Sequence, residues 1–485
     1  MRLDRTFVDV PDRAGPRRVH LRVAGSGPPV LLVHQSPRSS AEYIPLMERW
    51  AQQFTVIAPD TPGFGDSAPL PLERPECEDY ADALVALLDA LGLERVAAYG
   101  FHSGAIILVT AARRHPGRFT ALACGGYAVW DEEDRRLLGE RYTPPFQPQP
   151  FGEHLVWLWG RLQEQSWFFP WYLAEPGRRL PMASIAPERT HPIAMECLAA
   201  GNGFTKGYAA VLRAKRDVPG PGEPGPPVLV AAFDGDPLQA HLERLGHAPP
   251  HWRIQRVATP SELEAAALAH LEAHPAPLAT PRLGVADEGF VRIEAAGFMG
   301  LLHWKGRGDL FLHAPGSALS TARADGLALD LPGHGLSDPW PDAPHELAPW
   351  AEVVAAAIDA LGATPAKVTG EGWSTVLAAA VASRLNLEAV PAPLPRGDRA
   401  RWRELGIPDL TPDWAGTHLV RAWRMLRAST CFEPWFDVSA ATARDFSPEE
   451  LAPERLAMRH LALMRATAAR PLLAACLDAA ANSPR

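Results

Sequence analysis

Cysteine is scarce in this chain and shows no sign of pairing: Cys77, Cys124, Cys197, Cys431 and Cys476 are odd in number and never spaced C-x-x-C. That excludes a disulfide framework and a thiolate metal centre, and it leaves reduced thiols suited to a cytoplasmic protein. Positive charge is short as well. With a net charge of -9 and no basic tract, neither nucleic acid nor an anionic membrane is expected as a partner. No apolar run approaches the roughly 18 residues of a membrane span. The opening MRLDRTFVDVPD carries charges where a signal peptide has its apolar core, so secretion is not expected. A phosphate-cradling G-x-x-x-x-G-K-[ST] is missing and the histidines are scattered, so no nucleotide, metal or other cofactor is expected.

What the chain does have is length and apolar content. At 485 residues, 47% of them hydrophobic, it exceeds one ordinary core and predicts two domains. An internal repeat gives the same answer. VIAPDTPGFGDS (Val56 to Ser67) recurs as LALDLPGHGLS (Leu327 to Ser337), and DALG at Asp89 recurs at Asp359. HLVWLWGRLQEQSWFFPWY from His154 answers HLVRAWRMLRASTCFEPWF from His418, and APER at Ala186 returns at Ala452. Order and spacing are shared. The expected domains are therefore 1–275, with a helical cap at about 129–217, and 285–485, with its cap at about 396–485. The Pro-rich HPAPLATPRLG (His274 to Gly284) is the linker. The second copy has no counterpart of VLVAAF and WRIQRV, so it is expected to lack the last two strands of the pattern.

Strands alternating with helices predict a mostly parallel α/β sheet. Strands are expected at Phe7 to Val10, Val19 to Val23, Val30 to His34, Thr55 to Ala58, Val96 to Tyr99 and Thr120 to Cys124. Three motifs fall on this frame in order: LLVHQSP, APDTPGFGDS, and G-F-H-S-G at Gly100 to Gly104. In these the first copy resembles the α/β-hydrolase superfamily across nearly its whole length, as an oxyanion loop, a D-x-P-G-x-G-x-S turn and a nucleophile elbow. It is more closely similar to a bacterial subgroup with H-Q-S-P-R-S-S and G-x-H-[ST]-G. The resemblance implies an α/β-hydrolase fold with a helical cap, followed by a truncated second copy of that fold.

The elbow motif is usually G-x-S-x-G. Here His102 holds the central position, because only that register puts Gly100 and Gly104 on either side of the sharp turn; centring Ser103 would place Phe101 there. His102 is then a base or nucleophile, and Ser103, the next residue, offers its backbone N–H to an oxyanion. The second donor would be the Gln35 N–H, after His34. AAFDGDPL resembles the strand-end acid motif and makes Asp236 the acid, with Asp234 as the poorer candidate. The late histidine of such sites has no counterpart in VATPSE (Val257 to Glu262), and His270 and His274 come too late. A purely conformational role for His102 stays open, since histidine tolerates a positive φ better than bulky residues do.

The second copy has Gly372 at the central position of its elbow, which offers no chemistry. In the cap of the first, His154, Arg161 and Gln165 share one helical stripe beside Trp157; the second keeps His418 but has Met425 and Ser429 in the other two places. His34, Arg38, His154, Trp157, Arg161 and Gln165 are the expected substrate contacts, Arg38 as the partner of a carboxylate and the stripe with Arg161 as pocket lining that faces His102 across a cleft. The expected activity is hydrolysis of a small ester, amide or carbonyl compound, aromatic or carboxylate-bearing. A cofactor-free lyase, decarboxylase or isomerase and a non-catalytic small-molecule binder are the alternatives. The open sheet edge after LEAV (Leu387 to Val390) is expected to dock on the first copy or on another chain as a homo-oligomer.

Overall fold

The computed structural model describes residues 2–482 except 13–14, 182 and 323–324. It divides into two compact units, residues 1–147 with 158–285, and residues 148–157 with 286–485. The ten residues 148–157, expected in the cap of the first copy, group with the second unit.

The first unit is built on a sheet of β1 (Leu3–Val10), β2 (Arg17–Ala24), β3 (Pro29–Val33), β4 (Thr55–Pro59), β5 (Val96–Phe101), β6 (Phe119–Gly125), β7 (Val228–Phe233) and β8 (Trp252–Val257). Their order is β1-β2-β4-β3-β5-β6-β7-β8. β1 and β2 pair antiparallel and β2 runs antiparallel to β4, while every pairing from β4 to β8 is parallel. β3 and β4 are buried at every position, as expected of parallel strands covered on both faces. Around the sheet lie α1 (Ile44–Trp50), α2 (Cys77–Ala90) and α3 (Ser103–Arg114). Between β6 and β7 come α4 (Glu132–Tyr142), α5 (Glu153–Trp167), α6 (Pro187–Ala200) and α7 (Asn202–Leu212), and α8 (Pro260–Glu272) follows β8.

The second unit contains β9 (Glu288–Ala295), β10 (Phe298–Lys305), β11 (Leu310–Leu312), β12 (Leu327–Leu329), β13 (Lys367–Gly370) and β14 (Glu388–Val390). Its order, β9-β10-β12-β11-β13-β14, repeats that of β1 to β6, as do the parallel and antiparallel senses. Its helices are α9 (Leu347–Ala360), α10 (Ser374–Leu385), α11 (Arg399–Leu405), α12 (Thr417–Cys431), α13 (Pro453–Arg465) and α14 (Ala469–Asn482). No helix among the described residues is long and apolar enough to cross a membrane.

One buried carboxylate organises the loops above β4. Asp60 is 1% exposed and accepts from the His20 ring (2.8 Å), the Ser40 N–H (2.8 Å), the Ser40 hydroxyl (2.5 Å) and the Asp66 N–H (2.9 Å). The chain can close around it because Gly65 takes a φ of 52° and a Cβ there would strike the carboxylate. Asp330 repeats the arrangement with His303 (2.7 Å), the Leu319 N–H (2.7 Å) and the Leu336 N–H (2.9 Å), and with Gly335 at φ 53°. Burial alone would raise the pKa of Asp60, but His20, Arg22 and Ser40 outweigh it and hold the group well below the carboxylate range. A depressed folded pKa contributes stability above the unfolded value of about 4 and loses it as pH falls. Asp60→Asn is expected to cost about 3 kcal/mol near neutrality and to flatten the acid limb of stability, measured as urea midpoints from neutral to acid pH.

Candidate functional site

The turn from β5 into α3 holds the site. His102 sits between them at φ 47°, ψ −110°, a backbone conformation that few side chains adopt. Its N–H donates to the Gly125 carbonyl at 2.8 Å. Both flanking glycines are sterically required. A Cβ on Gly104 would collide with the Val33 carbonyl, and one on Gly100 would collide with the backbone of Gly104 and Ala105. Ser103, by contrast, is the first residue of α3 and 4% exposed. Its hydroxyl accepts from the Ser36 N–H at 2.5 Å and lies 3.2 Å from the Ser36 hydroxyl.

The imidazole meets the acid at the end of β7. His102 Nε2 lies 3.0 Å from Asp236 Oδ1. That oxygen also accepts from the Leu238 N–H at 2.8 Å, while the buried Oδ2 has no partner among the described residues. The carboxylate side chain is 0% exposed and the imidazole 22%. An ionised acceptor on Nε2 fixes the proton there and leaves the lone pair on Nδ1. One face of the ring stacks on Phe101, with centroids 4.0 Å apart, and Phe101 lies parallel to Phe233. Asp234 is turned to solvent and pairs with Arg256 and Gln239. Gly126, which sequence reasoning missed, makes room for the pair: a Cβ on it would lie 2.7 Å from His102 Nε2 and 2.8 Å from Asp236 Oδ2.

The sheet ends in a short connection. β8 ends at Val257 and α8 begins at Pro260, so the connection is Ala258 and Thr259, whose hydroxyl caps the helix at Glu262. His270 faces the Pro227 carbonyl (3.4 Å), and His274 donates to the His270 carbonyl (2.9 Å). The strand-end rings of Phe101 and Phe233 line a groove of about 840 Å³ with Glu42, Tyr43, Ser261 and Leu263.

Several of the expected contacts have partners within the protein. The Gln35 N–H is not open to an oxyanion, because it donates to Glu42 Oε1 at 2.8 Å while the Gln35 side-chain amide donates to Oε2 at 2.9 Å. Burial raises the pKa of Glu42 despite Arg38, His34 and Gln35. Sequence gave no signal for this clasp. Arg38 is already paired, with Glu196 on α6 at 2.5 Å and with Glu42 at 3.8 Å, and Ser39 holds the other oxygen of Glu196. His34 is 2% exposed and structural: Nδ1 donates to the Gln35 carbonyl and Nε2 accepts from the Thr61 N–H at 3.0 Å. His313 makes the same two bonds in the second unit.

The polar stripe on α5 also divides. His154 accepts from the Gln149 N–H at 3.0 Å and packs edge-on against Trp423, and burial lowers its pKa to about 4. His418 accepts from the Asp413 N–H in the same way, so the shared histidine closes the start of a helix. His154 and Trp157 both fall in the segment that groups with the second unit. Arg161 and Gln165 do come together, Nη1 donating to Oε1 at 2.8 Å. Among the described residues the one His/carboxylate group close enough to share a cation is His20, Asp60 and Asp66, and Asp60 is already saturated by its hydrogen bonds.

Residues 28–141 match the family model described as alpha/beta hydrolase fold, and the first unit has that fold. The chain is 32% identical over 138 residues to an uncharacterized hydrolase of Saccharomyces cerevisiae, covering 27% of this chain and 48% of the relative. It is 38% identical over 98 residues to a 2-(acetamidomethylene)succinate hydrolase of Mesorhizobium japonicum, covering 20% of this chain and 35% of that protein. The match thus spans about half the length of the first relative and about a third of the second. The structure of a thermophilic esterase from Thermogutta terrifontis is 22% identical, covering 56% of this chain and 99% of that one at a TM-score of 0.42.

Gly126→Ala tests the geometry of the pair. The added methyl and the φ of 57° at that position are expected to separate imidazole from carboxylate and to cost about 1–3 kcal/mol. Urea denaturation measures the cost, and ring ¹⁵N shifts of His102 report whether Nε2 keeps its proton.

Proposed function

We propose that the first unit is a hydrolase of a small ester, amide or carbonyl compound in which His102 itself, at the position of the usual hydroxyl, activates water. The observation that carries this reading is the 3.0 Å contact between Nε2 and the buried Asp236, on a strained turn, with the ring 22% exposed. Nδ1 takes a proton from water, the hydroxide adds to the carbonyl carbon, and the imidazolium returns the proton to the leaving oxygen or nitrogen. Asp236 stabilises the imidazolium and fixes its orientation. The Ser103 N–H, at the start of α3, is the donor to the oxyanion. Proteins similar to this chain are described as hydrolases, which supports the reaction class. The second unit serves as a non-catalytic copy, with Gly372 in place of the imidazole.

A proton-transfer reaction such as decarboxylation or isomerisation is the second reading. It is favoured by the capture of the Gln35 N–H by Glu42, which leaves one oxyanion donor where acyl hydrolysis usually has two.

With small p-nitrophenyl esters as probes, His102→Ala is expected to lower kcat about a hundredfold or more without unfolding the chain. Ser103→Ala keeps turnover. Hydrolysis in ¹⁸O-water puts the label in the acid product. Loss of activity in Ser103→Ala but not in His102→Ala would overturn the assignment, and deuterium on product carbon without ¹⁸O would transfer it to the second reading.

A further inference from the structure

We infer that Arg161 and the aromatic rings around it form a binding site for an organic carboxylate with a flat apolar body. Arg161 lies on α5 and is 2% exposed. A guanidinium cannot shed its proton to escape burial, so a buried one needs acceptors and a counter-charge. Only one end has an acceptor. Nη1 donates to Gln165 Oε1 at 2.8 Å, whereas Nε and Nη2 are buried without a partner among the described residues. No acidic side chain pairs with Arg161 there, although Arg38, the other arginine near Cys197, has both Glu196 and Glu42.

The two unpaired nitrogens are those whose N–H bonds run side by side along one edge of the guanidinium. That edge matches the two oxygens of one carboxylate, the bidentate geometry in which arginine is most selective. Gln165 holds the opposite end and so orients the free edge.

The walls supply the rest of the ligand's chemistry. The Tyr142, Trp171 and Phe204 rings have their centroids 5.8, 5.4 and 5.8 Å from the guanidinium carbon. They are held in place: Trp171 Nε1 donates to the Tyr142 carbonyl at 3.0 Å, Tyr142 packs edge-on against Tyr208, and Phe204 packs against Phe146. Ring faces favour the cation and present flat apolar surface to whatever is bound beside it. Trp171 is the wall that is partly exposed. One uncompensated positive charge and one free fork suit a monoanionic carboxylate. Inorganic phosphate, with more charge and four oxygens to satisfy, fits less well.

Calorimetry and thermal melts of the full chain test this with benzoate, the neutral isostere benzamide, and inorganic phosphate. Benzoate is expected to bind saturably and raise Tm; benzamide and phosphate are not. Arg161→Lys keeps the charge but loses the fork, and it should weaken benzoate at least about tenfold. Arg161→Met should abolish binding with its near-ultraviolet circular dichroism retained. His102→Ala should bind benzoate like the wild type, so the site stands or falls separately from the proposed reaction. The inference is overturned if benzoate binds wild type, Arg161→Lys and Arg161→Met alike, if it does not bind the wild type, or if phosphate competes as an equal ligand.

Discussion

The architecture of the site depends on one sharp turn. β3, β5 and α3 approach so closely that no side chain fits at Gly100 or Gly104, and the residue between them is driven to φ 47°. A non-glycine residue in that conformation costs about 1–3 kcal/mol and persists where its surroundings over-determine it. Here they do so from both ends. The His102 N–H is tied to the Gly125 carbonyl, and its ring is held between Asp236 and Phe101. The strain places the imidazole at the tip of the turn, and the carboxylate at the end of β7 receives it there. Sheet topology, through the adjacency of β5, β6 and β7, is therefore what unites residues 134 positions apart in the chain.

The second unit separates what the two units share from what the first alone has. It has the same order of six strands, the same buried aspartate closed by a histidine and a positive-φ glycine, and the same histidine ahead of that loop. At the turn corresponding to His102 it has Gly372 at φ 56°, which takes up the conformation without strain. Features common to the two units are thereby accounted for by folding: Asp60, His34 and the helix-closing His154. His102, Asp236, Arg161 and Gln165 have no counterparts of the same type, and Asp236 and Arg161 bear a carboxylate oxygen and a guanidinium edge that are unpaired among the described residues.

Much of this was legible in the sequence because it is local. Strands with β-branched and apolar runs fall within a few residues of expectation; β3, expected at Val30 to His34, spans Pro29–Val33. The two glycines about His102 and the strand-end Asp236 are likewise local features of the sequence. What was not legible is long-range pairing. Nothing in H-Q-S-P-R-S-S says that Gln35 will give its N–H to Glu42, or that Arg38 will meet Glu196, a residue 158 positions away on α6. Gly126 was missed because its reason lies in a contact with two side chains, not in its own turn. His34 and His154 each recur in the copy whose elbow holds glycine, as His313 and His418.

The distribution of charge follows from those pairings. In the loop after β3, one guanidinium faces two carboxylates, Glu42 and Glu196, so Arg38 brings no surplus positive charge to an incoming anion. Burial raises the pKa of Glu42 against the pull of Arg38. Arg161 is the converse, a buried cation with a neutral amide and aromatic rings for company. Burying an unpaired charge is costly unless something of opposite sign completes it. A ligand that brings a carboxylate therefore gains more at Arg161 than at Arg38, even though Arg38 stands beside the oxyanion loop in sequence.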